Sequence, residues 1–518
     1  MTASSSAAQA APAAALHLRQ AARSPGAAAP WHATLRGVVG ADNVLTSLPE
    51  RWAYARDRLP YATFHVRDGK LPGTLPAAIV CPGNVAELTQ VVRVAHEQQI
   101  AVIPFGAGSG VLGGALPLAQ ELIIDLKRLN RVLAINEADA SVTVQAGMNG
   151  GQFEAWLNQR GYTCGHLQQS MYMSTVGGWA ACRGAGQSST RYGKIEDIVL
   201  GLAAVLPDGR ELRVRPVARR AVGPSIKDVL IGSEGVFGII TEVTLRIWRL
   251  PEVRHGVVLG FASLQQGLDA MRQIMQAELR PAVLRLYDEE ESRQRGQEVG
   301  IGDALPVLAI LEFSGPARLA AVERDLALEI AFAQGGLALG DDPYQHWAAH
   351  RYESYSPQWQ SADYFMDTIE VTAGWSVIPA LHERIRRELQ ALVPGMHFGT
   401  HWSHAYAEGA CQYMTLRLPP MATESGLRLH RQAWHIAERA TLDLGGSISH
   451  HHGVGVFRNA WLREELGVGL EMLQALKDHL DPNNRFNPGK LALRGRPGAI
   501  DLEAREASQA RQAAEAQS

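Results

Sequence analysis

The sequence predicts an α+β protein built of two large domains, and three observations carry that expectation. The chain runs to 518 residues, more than one hydrophobic core usually organises. From Pro76 a strand–helix–strand alternation gives way to hairpins, the pattern of an α+β domain. Past Pro251 the texture changes to longer amphipathic helices set between strands, with an aromatic-rich stretch from Tyr344 to Trp375.

The elements follow in order. Ala77–Cys81 is a short apolar strand. Asn84 is placed to cap a helix whose residues Val85, Leu88, Val91, Val92 and Ala95 recur at helical spacing. Ala101–Phe105 is a second strand, followed by the glycine-rich stretch Gly106–Gly114 and a third strand, Leu122–Leu126. Val132–Ile135 and Ser141–Val144 read as a hairpin and Gly150–Arg160 as a helix. Leu200–Leu206, Glu211–Val214 and Ile239–Trp248 read as antiparallel strands, with a turn at Pro207–Asp208–Gly209. In the second domain Val257–Gly260, Val307–Phe313 and Gly335–Leu339 are strands, and Leu264–Gln276 and Ala317–Ala333 are helices. A last helix begins at Trp461 and precedes Asp481–Pro482–Asn483–Asn484.

Composition excludes several functions. The net charge is −3 with no dense basic stretch, and a nucleic-acid partner needs a basic face to displace counterions. Cys81, Cys164, Cys182 and Cys411 form no CxxC, which argues against a thiolate metal site or a disulfide framework. Buried free thiols are expected instead. No apolar run reaches the ~20 residues that cross a bilayer. Residues 1–30, rich in Ala and Ser, read as a flexible tail rather than a secretory signal.

Three glycine-rich segments carry the chemistry of the first domain. The first is Gly106–Ala107–Gly108–Ser109–Gly110–Val111–Leu112–Gly113–Gly114. Its small residues let backbone N–H groups approach phosphate oxygens, and its spacing is not that of a dinucleotide-binding helix opening. The second runs from Ser174–Thr175–Val176–Gly177–Gly178–Trp179 to Arg183. The third is Gly232–Ser233–Glu234–Gly235, continuing to Gly238 and Ile240. Such segments suit a flat heteroaromatic ring laid against backbone. In the second domain Ser449–His450–His451–His452–Gly453 sets three imidazoles side by side, able to supply a base near neutral pH. On a strand they would alternate faces, so at most two would meet one ion. No metal site is expected.

The ordered segments resemble the FAD-binding domain of the vanillyl-alcohol oxidase/p-cresol methylhydroxylase superfamily. The resemblance implies a two-subdomain FAD-binding unit over residues 76–251, after a flexible tail (1–30) and a lead-in (31–75). A substrate or cap domain would span 252–460, a C-terminal segment (461–493) would close on the FAD domain, and a second tail would cover 494–518. It implies FAD contacts from Gly106, Gly108, Ser109, Gly110, Ser174, Thr175, Gly178, Trp179, Arg183, Glu234, Gly238 and Ile240. No His or Cys stands where some relatives link the flavin, so FAD would be non-covalent.

The triple histidine with Gly-Val-Gly is similar to the alkyldihydroxyacetonephosphate synthase family, as are Arg280–Asp288, Ser403–Cys411 with Tyr413, and Asp481–Asn484. That resemblance implies exchange of the acyl group of acyl-dihydroxyacetone phosphate for a fatty alcohol through a flavin N5 adduct. His450, His451 and His452 would be the base cluster. Tyr413 would be the acid/base, with Tyr406 as a substitute, and Arg285 an anchor near flavin and phosphate. Gln169 stands where the family has Asp, and Val456–Asn459 replaces a more basic run. The alternative is an FAD-dependent dehydrogenase or oxidase of a D-2-hydroxy acid or another alcohol. The expected partner is a small-molecule or lipid substrate, and the expected location is cytoplasmic. Peripheral membrane contact and a homodimer stay open.

Overall fold

The computed structural model describes residues 30–71, 73–298, 305–353 and 364–500. The expected tails at 1–29 and 501–518 lie outside those residues. Residues 494–500 do not: Ile500 N–H donates to the Leu118 carbonyl at 3.0 Å, so the chain stays on the first domain further than expected.

The first domain holds two sheets. In one, Ala78–Val80, Leu122–Asp125 and Val102–Phe105 run parallel, with Val44–Leu45 antiparallel on the edge. The helix Val85–Glu97 connects two of these strands, and the Asn84 side chain caps it by accepting from Glu87 N–H at 2.9 Å. The lead-in therefore joins this sheet rather than standing before it. In the other sheet the order is Val132–Asn136, Ser141–Gln145, Ile239–Arg246, Val199–Val205, Glu211–Val214, all antiparallel. Pairing Ser141–Gln145 with Ile239–Arg246 brings the second and third glycine segments back beside the first.

The second domain is a seven-stranded antiparallel sheet. Its order is Leu337–Ala338, Val253–Phe261, Val307–Gly315, Val283–Tyr287, His397–Ala405, Gly409–Leu418, Phe365–Gly374. Alternation along the strands separates two faces. One carries Leu259, Leu284, Leu286, Ala309 and Leu311 under the helix Leu264–Gln276. The other carries the polar row Tyr287, His401, Tyr413 and Glu370, each paired with the next across neighbouring strands.

The C-terminal helix is broken in two, Asn459–Leu466 and Val468–Leu480, at Gly467 with φ +50°. Beyond it, Val102 N–H donates to Arg485 O at 2.8 Å and Asn487 N–H to Val102 O at 2.8 Å, extending the first sheet. The Asn487 side-chain amide reaches Gly114 O and Glu234 O at 2.9 and 2.7 Å, tying this segment to two of the glycine loops. Among the described residues no helix is long and apolar enough to cross a membrane.

Candidate active site

The glycine loop leaves Phe105 as irregular backbone. Gly108 has φ +64° and Gly113 φ +80°, conformations that a Cβ resists. None of the backbone N–H groups from Ala107 to Leu112 finds a hydrogen-bond partner among the described residues. A run of uncommitted N–H groups on such backbone is a cradle for an anion such as a pyrophosphate.

The other segments close on this loop. A Cβ on Gly106 would fall 2.3 Å from Thr175 Oγ1, and one on Gly114 would fall 3.1 Å from Glu234 Oε2. Thr175 thus lines the loop's far side, with Gly178 N–H donating to its hydroxyl at 3.4 Å. Valine at Gly106 is expected to abolish FAD retention, because the loop and Thr175 cannot both keep their places. The ratio of absorbance at 450 nm to that at 280 nm in purified protein measures it.

Several residues expected to touch the cofactor sit differently. Trp179 lies in the core, and its indole N–H donates to Ser174 Oγ at 2.8 Å, so it supports the segment from behind. Arg183 terminates the helix Val176–Cys182 in left-handed backbone, its guanidinium 3.6 Å from Glu196. Gly238 and Ile240 lie where the strand Ile239–Arg246 begins to pair with Val199–Val205. The Ile240 side chain is buried in the core, so its backbone is what it can offer a ligand. Both Glu234 carboxylate oxygens accept backbone N–H groups, of Val454 at 2.7 Å and Gly455 at 2.9 Å. Burial pushes this carboxyl up to about 7 against those two donors. Glu234 is the tie that draws the histidine loop onto the glycine loop. The fit is close: a Cβ on Gly455 would fall 2.0 Å from Leu112 O.

The histidine run is not a strand. Only Ser447 bridges to the neighbouring strand, at Thr372, and beyond it the chain bends. The reason is Glu370, fully buried, which gathers the turn's donors. It accepts N–H from His450 at 2.5 Å, His451 at 3.3 Å and His452 at 3.0 Å, and the Ser449 hydroxyl at 2.9 Å. Wrapped round one carboxylate, the three imidazoles converge instead of alternating. His450 Nδ1 and His451 Nδ1 lie 2.9 Å apart, and the His451 and His452 ring centroids are 4.6 Å apart.

Burial alone would raise Glu370, but Arg458 and the N–H donors of the histidine turn bring it down to about 2. Arg458, itself fully buried, donates to Glu370 Oε1 at 3.0 Å and to Glu438 Oε1 at 2.8 Å. The donor atoms of Glu370, Cys411, His450 and His451 lie within 4.8 Å of one another. The carboxylate in that group is already committed to backbone and to Arg458.

Sequence reasoning missed two histidines. His401 Nε2 lies 2.7 Å from Arg285 Nη2, and its ring stacks on Tyr413 with centroids 4.7 Å apart. His404 stacks on His450 at 5.1 Å and bonds Ser189 Oγ through Nδ1 at 2.7 Å. The signal was Thr-His-Trp-Ser-His, but plain alternation would have put the two rings on opposite faces. A β-bulge between Ser403 and Ala405, with His404 at φ +50°, turns both inward.

The phenols divide unexpectedly. Tyr413 donates to Thr368 Oγ1 at 3.0 Å and meets His452 edge-on at 5.5 Å, and burial pushes its hydroxyl up to about 12. Tyr406, the expected substitute, is the one bonded to a histidine, His450 Nε2 at 2.8 Å.

Residues 76–215 match the FAD binding domain family, and residues 250–491 match the C-terminal domain of FAD linked oxidases. The FAD-linked oxidoreductase YgcU of Escherichia coli K12 is 31% identical over 475 residues, covering 88% of this chain and 97% of that one. The chain belongs to the FAD-linked oxidoreductases. Alkyldihydroxyacetonephosphate synthase of Dictyostelium discoideum is 28% identical over 463 residues, covering 82% of this chain and 74% of that protein. A solved alkyldihydroxyacetonephosphate synthase superposes with TM-score 0.76 at 24% identity, over 90% of this chain and 85% of that one. Substrate-bound p-cresol methylhydroxylase superposes with TM-score 0.73 at 15% identity, over 89% and 96%. These two likenesses establish the shared fold.

This FAD-linked oxidoreductase is therefore an FAD-dependent enzyme acting on a small molecule. The residues present fit the cofactor: uncommitted N–H groups from Ala107 to Leu112 suit its pyrophosphate.

Burial, then neighbouring imidazoles, hold His450 and His451 well below the usual histidine value. Burial holds His452 below it too, and brings His404 and His166 down to about 3. These imidazoles are thus neutral across the physiological range. An unfolded chain takes up these protons near 6.5, whereas the folded one refuses them. Stability present above 6.5 is therefore lost as pH falls, by up to about 1.4 kcal/mol per pH unit for each such imidazole. Four buried carboxyls, Asp57, Glu234, Asp288 and Glu438, are raised by burial and act oppositely. Seven buried histidines outnumber them once His401 and His382 are counted. The thermal midpoint is expected to fall between pH 7.5 and 5.5, as calorimetry at the two values will test.

Proposed function

We propose that the chain is a synthase-like transferase that exchanges the acyl group of acyl-dihydroxyacetone phosphate for a fatty alcohol. The observation that carries this reading is the proton relay Tyr406–His450–His451 beside the flavin cradle. A neutral imidazole holds one N–H. If the Tyr406 hydroxyl donates to His450 Nε2, His450 donates from Nδ1 to His451 Nδ1, and His451 Nε2 carries a proton. Reversing both bonds leaves His451 Nε2 with a lone pair.

One cluster can therefore take a proton from the substrate carbon and later return one, which a redox-neutral exchange requires. FAD, when bound, supplies the electron-accepting ring against which that carbon reacts. Arg285, steadied by His401, adds a fixed positive charge for the phosphate. The curated synthases among its relatives support the same reading.

Purified enzyme given acyl-dihydroxyacetone phosphate labelled in the acyl chain, with a fatty alcohol and no electron acceptor, should release labelled fatty acid and form the ether. Complete anaerobic bleaching of the flavin by D-lactate or D-2-hydroxyglutarate would overturn the proposal. One observation favours that second reading, hydride removal from a short hydroxy acid. A cavity of about 110 Å³ in the second domain has three arginines in its wall, a lining that suits a small anion better than a fatty chain.

A further inference from the structure

That cavity lies between the polar face of the seven-stranded sheet and the helix Asp342–His350. Its walls include Arg285, Arg295, Arg351, Tyr287, Trp347 and Glu353. Three guanidiniums thus face one carboxylate, and Glu353 is exposed at the rim.

Two of these arginines, Arg351 and Arg285, are incompletely satisfied. The Arg351 side chain is 7% exposed, yet its Nε and Nη2 have no hydrogen-bond partner among the described residues. Its nearest carboxylate, Glu312, is 3.5 Å away and already takes Arg254 at 2.9 Å and Tyr344 at 2.7 Å. Arg285 Nε is likewise buried without a partner. Buried guanidinium N–H groups left unpaired are costly, and a planar fork of donors matches an oxyanion.

The forks are also held in place. Arg351 lies over the Trp347 ring at 5.3 Å and Arg285 over Tyr287 at 5.5 Å. From the FAD domain, the amide of Gln187 donates to Arg351 O at 3.0 Å and to Gln169 Oε1 at 2.8 Å. Gln169 donates in turn to Glu353 O at 3.2 Å. Both domains thus build this wall, with neutral amides on the flavin side. The cavity has room for several waters, hence for a phosphate-sized group.

We propose that this cavity is a subsite for an oxyanion of the substrate, phosphate or carboxylate, and that Arg351 determines its affinity. Arg285 joins the subsite to the base cluster, since its other contact is His401, stacked on Tyr413. An anion bound there holds the rest of its molecule against the histidines. The proposal rests on the preceding reading only in placing the reaction at those histidines.

The test titrates full-length, FAD-loaded enzyme with inorganic phosphate and, separately, with D-lactate. Calorimetry follows binding alongside tryptophan fluorescence, with Trp347→Phe as the control for the origin of the signal. Saturable binding of at least one anion is expected, weakened on the order of tenfold in Arg351→Gln and less in Arg351→Lys, with FAD content unchanged in both. Tighter binding of phosphate or of lactate assigns the subsite to that chemistry. No saturable binding of either anion, or equal affinity in Arg351→Gln, would overturn it. Labelled-acyl exchange on the same preparations separates the two ideas. Anion binding through Arg351 without exchange leaves the subsite standing and sinks the transferase, whereas exchange at an unchanged KM in Arg351→Gln sinks the subsite.

Discussion

Replacing Glu370 with leucine is expected to cost about 3–5 kcal/mol of stability, the usual penalty for removing one member of a buried ion pair. Four donors from residues 449–452 and the Arg458 guanidinium all end on this carboxylate. Removal leaves Arg458 buried with Glu438 alone, a carboxyl that burial already raises to about 7. The histidine loop loses its centre at the same time, so activity should vanish even in protein that still folds. Urea unfolding of Glu370→Leu, Arg458→Leu and the double variant checks the reasoning. The double variant should be less destabilised than the two single losses added together, and simple additivity would contradict the pairing.

His451→Ala should lower kcat by about 10²–10⁴, the usual worth of a positioned acid/base, while FAD stays bound. His451 touches the relay through Nδ1 and the His452 ring, but takes no part in the bonds from Val454 and Gly455 to Glu234. Its loss should therefore spare the cradle. Tyr406→Phe removes the far end of the relay and should cost on the order of tenfold, shifting the acid limb of the kcat–pH profile. Tyr413→Phe should move that limb less, because its hydroxyl is bonded to Thr368 rather than to a histidine. Unchanged turnover in His451→Ala would remove the base from the account.

Much of the fold was legible because it depends on local pattern. The Asn84 cap, the turn at Pro207–Gly209 and the strands of the first domain follow from spacing alone. The two-faced sheet of the second domain was less so. Its strands His397–Ala405 and Gly409–Leu418 are nearly buried throughout, so alternation between water and core does not mark them. At the site, the glycine segments and the triple histidine stood out as unusual sequence. Glu370, Arg458 and His404 did not, because a buried carboxylate, its arginine and a bulge-turned ring leave no local signature. Glu234 enters the expected cofactor contacts only through the family resemblance. Its partners lie 220 residues away, at a distance in sequence that no local motif spans.

The claim beneath all of this is that the three glycine segments cradle FAD without a covalent bond. Acid precipitation of the purified protein, followed by quantification of flavin in the supernatant, tests it. The account predicts one FAD released per chain and a colourless pellet. A pellet that keeps its yellow colour, or protein that holds no flavin after reconstitution with FAD, would contradict it.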